Sequence, residues 1–261
     1  MTTYRLEESE TVVLPIGFYR DGKYYREVII DEFRTIDQES LTSPSAKQNP
    51  VKAASLIIAR VVQEIPGLMP RKSNQNARIA DHFVQDMFQA DRDTIILASL
   101  VLAGETERTV ETKCEKCGAG LELDFDLAQV DIVAHDHSQP PRVSFSLPRG
   151  LKSKDREGNA VVVKNGFMSF PTGKVMELLG KNSQKGELAM LTQQFAACST
   201  EVEHIGQFSI EELQSLSLKD RRALMDSLGE STPGPDVIRD ETCASCGHEF
   251  KAQLEIARFF M

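Results

Sequence analysis

Two short motifs constrain this chain more than anything else in it: Cys114-Glu115-Lys116-Cys117-Gly118 and Cys243-Ala244-Ser245-Cys246-Gly247. A C-x-x-C-G turn places two thiols on one tight bend. The glycine after the second cysteine tolerates the left-handed backbone that lets amides point at the sulfurs. Two such knuckles supply the four-sulfur cage of a structural zinc site. Each lies between strand-like segments, 108–112 and 121–125 for the first, 236–239 and 250–254 for the second. That is the layout of a zinc ribbon, one knuckle per hairpin. The expected Zn2+ ligands are Cys114, Cys117, Cys243 and Cys246. The fifth cysteine, Cys198, follows Ala196-Ala197 on an apolar helical face and reads as a small buried residue.

The spacing is unusual. The pairs are separated by 125 residues, whereas ribbon linkers commonly run ~15–20. Loop-closure entropy grows slowly with length, so one shared site across this gap is feasible. Two other readings stay open: separate sites completed by His135, His137 or His248, and reduced hairpin pairs with no metal. A thioredoxin-like redox role is disfavoured, because neither pair is followed by a helical pattern. Four protein ligands leave no open position for water, so an all-cysteine zinc serves structure rather than catalysis.

A loose internal repeat would account for the gap. Asp91-Arg92 opens an apolar helical run followed by Gly104, a strand and Cys114. Asp220-Arg221 opens another, followed by Gly229, a strand and Cys243. Upstream, Leu14-Pro15-Ile16-Gly17 leads to the turn Asp21-Gly22, and Leu147-Pro148-Arg149-Gly150 leads to Asp155–Gly158. Each opens a candidate hairpin, with strands over 25–30 and 160–164. The expectation is an α+β fold in two halves, 1–130 and 131–261, each giving a hairpin, helices and one knuckle.

Asn49-Pro50 marks a helix start, with the helix running to Glu64. Further helices are expected at 77–89 and 92–103, with a break at Ala90-Asp91, and at 172–179, 184–198 and 210–215. A last one follows Ser217 to Leu228. Polar or Pro-rich connections fall at 42–48, 67–76, 134–142 and 230–235.

The remaining chemistry-bearing residues have plain readings. His135-Asp136-His137 lies in a Pro-flanked polar stretch and reads as a surface loop, with an enzyme site there the sharper alternative. Asp91-Arg92-Asp93 reads as a helix N-cap with acid in the first turn. Lys113, Lys116 and Arg108 alternate with Glu111 and Glu115, as on a solvated ribbon edge. Arg149, Lys152, Lys154 and Arg156 cluster at a hairpin tip. No phosphate-binding, dinucleotide, nucleophile-elbow or zinc-protease motif occurs.

With 30 Lys+Arg against 39 Asp+Glu, the formal net charge is −9. Four thiolates around Zn2+ would take it to about −11, which argues against nucleic-acid partners. A zinc-ribbon nucleic-acid or transcription-associated module is therefore the second reading. No apolar run approaches membrane-spanning length, and the polar, acidic first fifteen residues do not read as a secretory signal. A reducing compartment, the cytoplasm, is expected, which favours metal-bound or free thiols over disulfides. Phe259 and Phe260 are candidates for burial, on this chain or in a partner's groove.

The chain resembles a known group. Gly234-Pro235 followed by a strand, Cys-x-x-Cys-Gly, an apolar strand and Phe259-Phe260 is similar to the end of tail and baseplate assembly proteins. These belong to T-even-type contractile phages and related contractile injection systems. Leu14-Pro15 with Tyr19-Arg20-Asp21-Gly22, Val28-Ile29-Ile30 and Thr35–Leu41 resembles how such proteins begin. Asp91-Arg92 with the run to Gly104, then Cys114 and Cys117, resembles their middle. The resemblance implies a non-enzymatic component that helps build a baseplate or tail hub in the producing bacterium. Its partners would be other baseplate or tail proteins, and the four cysteines are the only residues it marks.

Overall fold

Apolar alternation and turn chemistry set two long hairpins, and everything else is arranged on them. The computed structural model describes residues 2–42, 49–74, 77–181, 186–229, 232–253 and 256. It is a mixed helix and sheet structure. Up to the first knuckle the elements are β1 (Thr3–Arg5), β2 (Thr11–Arg20), β3 (Lys23–Ile30), α1 (Thr35–Thr42), α2 (Pro50–Val61), β4 (Val62–Glu64), α3 (Asp81–Asp86), α4 (Gln89–Leu102), β5 (Glu107–Lys113) and β6 (Gly120–Asp126). Then follow β7 (Asp131–Val133), β8 (Arg142–Lys154), β9 (Ala160–Ser169), α5 (Gly173–Lys181), α6 (Glu187–Cys198), β10 (Ser199–Thr200), α7 (Ile210–Ser215), α8 (Leu218–Gly229), β11 (Gly234–Pro235), β12 (Ile238–Thr242) and β13 (Glu249–Gln253).

The same order of pairing occurs twice. β2 pairs with β3 and β3 with β4; β8 pairs with β9 and β9 with β10, all antiparallel. Both hairpins slip register at the Leu-Pro-x-Gly sequence, between Val13 and Phe18 and between Ser146 and Leu151. Gly17 and Gly150 sit there at φ 83° and 77°. A Cβ at Gly17 would lie 2.6 Å from the Tyr25 carbonyl oxygen, so only glycine fits this bulge.

A helix N-terminus docks on each bulge. The Asp91 carboxylate accepts the N–H groups of Ile16 and Gly17 at 2.8 and 3.0 Å. The Asp220 carboxylate accepts the Arg149 N–H at 2.7 Å. Asp91 stands 23 residues before Cys114 and Asp220 stands 23 before Cys243. Asp91 is therefore not the expected N-cap. The break between α3 and α4 falls at the extended Met87-Phe88, and Asp91 lies buried in the first turn of α4. Ser217 does cap α8, accepting the Asp220 N–H at 3.2 Å.

Two apolar clusters result. One gathers Leu14, Val28, Ile30, Ile57, Ile58, Val62, Ile95 and Leu97. The other gathers Ile16, Phe145, Leu147, Val163, Met168, Phe195 and Leu224. The expected helix to Glu64 stops at Val61, because the β-branched Val62 continues as β4 against Ile30. A third sheet joins β1 and β11 to either side of β7.

α5 lies over α2, α3 and α4. It enters beside the buried Arg92, whose Nη1 donates to the Val84 carbonyl at 3.0 Å. A Cβ on Gly173 would lie 2.5 Å from that Nη1 and 2.6 Å from the Val84 oxygen. Gly173→Ala is accordingly expected to cost about 1–3 kcal/mol by overpacking. A thermal melt superposing on that of the parent protein would show that the helix can move aside.

Candidate metal centre

The knuckles are the tips of two isolated two-stranded ladders. β5–β6 runs in register from Glu107↔Asp126 to Lys113↔Gly120, and β12–β13 from Ile238↔Gln253 to Thr242↔Glu249. Each tip is tied the same way. The Cys114 N–H donates to the Ala119 carbonyl at 2.9 Å and the Gly118 N–H to the Cys114 carbonyl at 2.8 Å. The Cys243 N–H donates to His248 O at 2.9 Å and the Gly247 N–H to Cys243 O at 2.8 Å. Gly118 and Gly247 take φ 73° and 67°. These turns aim backbone amides at the sulfurs.

All four sulfurs meet. Cys114 Sγ lies 3.7 Å from Cys246 Sγ, and Cys117 Sγ lies 3.7 Å from Cys243 Sγ. All four atoms fall within 4.8 Å of one another. A disulfide would bring two sulfurs to about 2.05 Å. A tetrahedron with metal–sulfur bonds of about 2.3 Å has edges of about 3.8 Å, which matches the cross-hairpin distances. The site takes one buried and one exposed cysteine from each knuckle: Cys114 and Cys243 are each 1% exposed, and Cys117 and Cys246 are open to solvent.

The electrostatics call for a cation. The backbone N–H of Cys117, with that of Lys116, holds the Cys114 thiol down to about 6. At Cys246 the His248 N–H pulls the same way, but desolvation together with the facing sulfurs of Cys117, Cys114 and Cys243 outweighs it and pushes that thiol up to about 12. Four thiolates this close cannot all ionise without positive charge between them. A bound divalent cation would supply it.

Among the described residues, no histidine joins this cluster. The separate-site readings placed His135, His137 or His248 beside the sulfurs; the chain instead gathers the four cysteines alone. His135 and His137 also depart from the expected surface loop. His135 is buried, its Nε2 3.1 Å from the Gln139 carbonyl, and His137 Nε2 lies 3.0 Å from the Ile16 carbonyl. His137 packs edge-on against Tyr24, and burial together with Arg26 lowers its pKa. The His137 ring and the His135 backbone N–H, which donates to Pro15 O at 2.9 Å, pin residues 134–139 to the first hairpin. A cleft of about 380 Å³ between α4, β7 and residues 232–238 is lined by Gln89, Asp93, Phe170 and Pro235, and by neither histidine.

Cys198 is fully buried, and burial raises its thiol to about 11. Arg239 is a tie between the knuckle hairpins that the sequence reading missed. Its Nη1 donates to the Asp124 carbonyl at 2.7 Å, and its guanidinium stands 5.0 Å from the Phe125 ring centre. Phe259 and Phe260 lie outside the described residues. Among the described residues, no helix is long and apolar enough to cross a membrane.

Comparison with protein-family models, with curated proteins and with solved structures finds no match to this chain. Function has to be read from the site and the fold.

Proposed function

We propose that this chain is a non-enzymatic structural or assembly component of a contractile tail or injection-system baseplate, held together by a four-cysteine Zn2+ site of zinc-ribbon type. One observation carries the reading: four sulfurs from two distant parts of the chain meet in one closed set. An all-thiolate tetrahedral donor set suits Zn2+. With every position filled by protein, a metal there fastens the chain and offers nothing to a substrate. Cys114 and Cys117 would bind from one half, Cys243 and Cys246 from the other. The repeated order of hairpin, helix, third strand, helix pair and knuckle supports two diverged halves, 1–130 and 131–261. The order of motifs supports the baseplate assignment, and the charge of −9 supports protein partners over nucleic acid.

Deleting the gene in the producing bacterium is expected to leave no sheathed, contractile particles by electron microscopy. The parent gene should restore them, and a variant with serine at the four cysteine positions should not. Normal particles from the deletion strain would overturn the assignment. Filter binding to DNA or RNA should show no steep loss of affinity with salt. A log–log slope of several units would instead mean several phosphate contacts and favour the nucleic-acid reading.

A further inference from the structure

The two halves treat one helical face differently. In the first half, the segment entering α5 pairs with the start of α4. Thr172 bridges Phe88, the Pro171 carbonyl accepts the Gln89 N–H at 2.8 Å, and the Gly173 N–H donates to Met87 O at 2.8 Å. One turn into α5, the Glu177 carboxylate accepts the Ser55 hydroxyl at 2.6 Å, and Ser55 Oγ accepts Arg92 Nη2 at 2.9 Å. Arg92 is 0% exposed, and Glu177 is one of the acids that offset its burial.

The second half presents the same receiving groups. Arg221 Nη2 donates to Leu188 O at 2.8 Å and Thr192 Oγ1 at 3.2 Å. Arg92 Nη2 approaches Val51 O and Ser55 Oγ in the same i, i+4 pattern. Each arginine directly follows the aspartate that docks on its hairpin. The Thr192 hydroxyl, however, donates to Leu188 O at 2.9 Å, with no carboxylate over it among the described residues as Glu177 lies over Ser55. Leu188 and Leu218 beside it are 68% and 87% exposed. Leu218 occupies the place of Gln89, whose N–H donates to the Pro171 carbonyl. Lys219 and Arg222, exposed on α8, outnumber the exposed Asp226 there.

We propose that the face of α6 and α8 around Arg221 receives an amphipathic helix from a protein partner, whose carboxylate sits over Thr192 and Arg221 as Glu177 sits over Ser55 and Arg92. The proposal rests on reading the chain as a binding component, and it names the surface and the chemistry of what binds. The internal counterpart defines the occupant: a helix with an apolar stripe, one acid within it and an extended lead-in. A second copy of this chain is disfavoured, because its own α5 is already seated on α2, α3 and α4.

The probe is the chain's own residues 170–181 as a labelled peptide, capped at both ends and titrated against the metal-loaded full-length protein by fluorescence anisotropy. Saturable binding is expected in the range of ~10⁻⁴–10⁻³ M, as suits a small interface that must also order the peptide. Leu218→Asp in the protein should weaken it at least ~10-fold; the site is exposed and at a helix N-terminus, where acid is favourable. Glu177→Gln in the peptide should weaken it ~5-fold and remove most of its salt dependence. No saturable binding up to ~5 mM, or binding that Leu218→Asp leaves unchanged, overturns the proposal. Normal particles from the deletion strain would sink the baseplate reading and leave this titration standing; a failed titration beside absent particles would sink this proposal alone.

Discussion

Stripping the metal with a chelator under reducing conditions is expected to unfold both knuckle hairpins and leave the two helical cores folded. The reason is the poverty of other support. β5–β6 and β12–β13 are two-stranded ladders, a form that is marginal in water unless something packs on it. β5 and β6 alternate between exposed and half-buried positions, and few side chains from the ladders reach the first core, Phe125 chief among them. Across the gap between them stand the four sulfurs and Arg239. Metal-binding free energy is folding free energy for such a module. Amide protection over 107–126 and 238–253 should fall by about 100-fold or more, while β2, β3, β8 and β9 keep theirs. The main thermal transition should move down by roughly 5–15 °C and broaden, since the chain no longer melts as one unit. Serine at positions 114, 117, 243 and 246 should reproduce the result without a chelator. The zinc reading falls if the reduced protein contains no zinc and the four-serine variant melts like the parent.

What could be read in advance divides along physical lines. The knuckles were legible because C-x-x-C-G has few uses, and the strands around them because their alternation is local. The two Asp-Arg and two Leu-Pro-x-Gly echoes were visible too. Their meaning was not, because nothing local says that Asp91 reaches Ile16 and Gly17, 75 and 74 residues away. An aspartate ahead of an apolar run reads as an N-cap by default. The helix starts after Phe88, where the Pro171 carbonyl, from the other half, satisfies the Gln89 N–H, one of the orphan donors of the first turn. Proline and aspartate flank His135 and His137, a composition that reads as a surface loop. The Ile16 carbonyl against the His137 ring, the Pro15 carbonyl on the His135 N–H and the Tyr24 ring override that composition. Cross-half contacts of this kind are carried by tertiary geometry, and a single sequence does not display it.

Asp91 and Asp220 hold corresponding places, yet replacing them should give stability losses with different pH profiles. Asp91→Ala strands two buried N–H donors, at about 1–3 kcal/mol each, for a loss of about 4 kcal/mol and a melting point lower by roughly 8–16 °C. Asp220→Ala should be of similar size. The asparagine variants separate the electrostatics from the packing. Burial raises Asp91 to about 7, outweighing the Ile16 and Gly17 N–H groups and the more distant Arg26. Unfolded, it ionises near 4. Between about 4 and 7 the folded chain keeps a proton the unfolded chain has released, so this site's contribution falls as pH rises. The deficit of Asp91→Asn relative to the parent should therefore shrink from pH 5 to pH 7. At Asp220 burial again raises the pKa, but the Ser217 hydroxyl and the N–H groups of Arg149 and Gly150 prevail and hold it below the usual carboxylate range. Its contribution is complete above the unfolded value and is lost only as pH drops below about 4. The Asp220→Asn deficit should thus stay flat over the window in which the other shrinks. Both variants keep the four cysteines, so acid release of the metal cancels in each comparison with the parent. Parallel profiles for the two variants would mean that the two clamps share one electrostatic environment, against the difference in their hydrogen bonding.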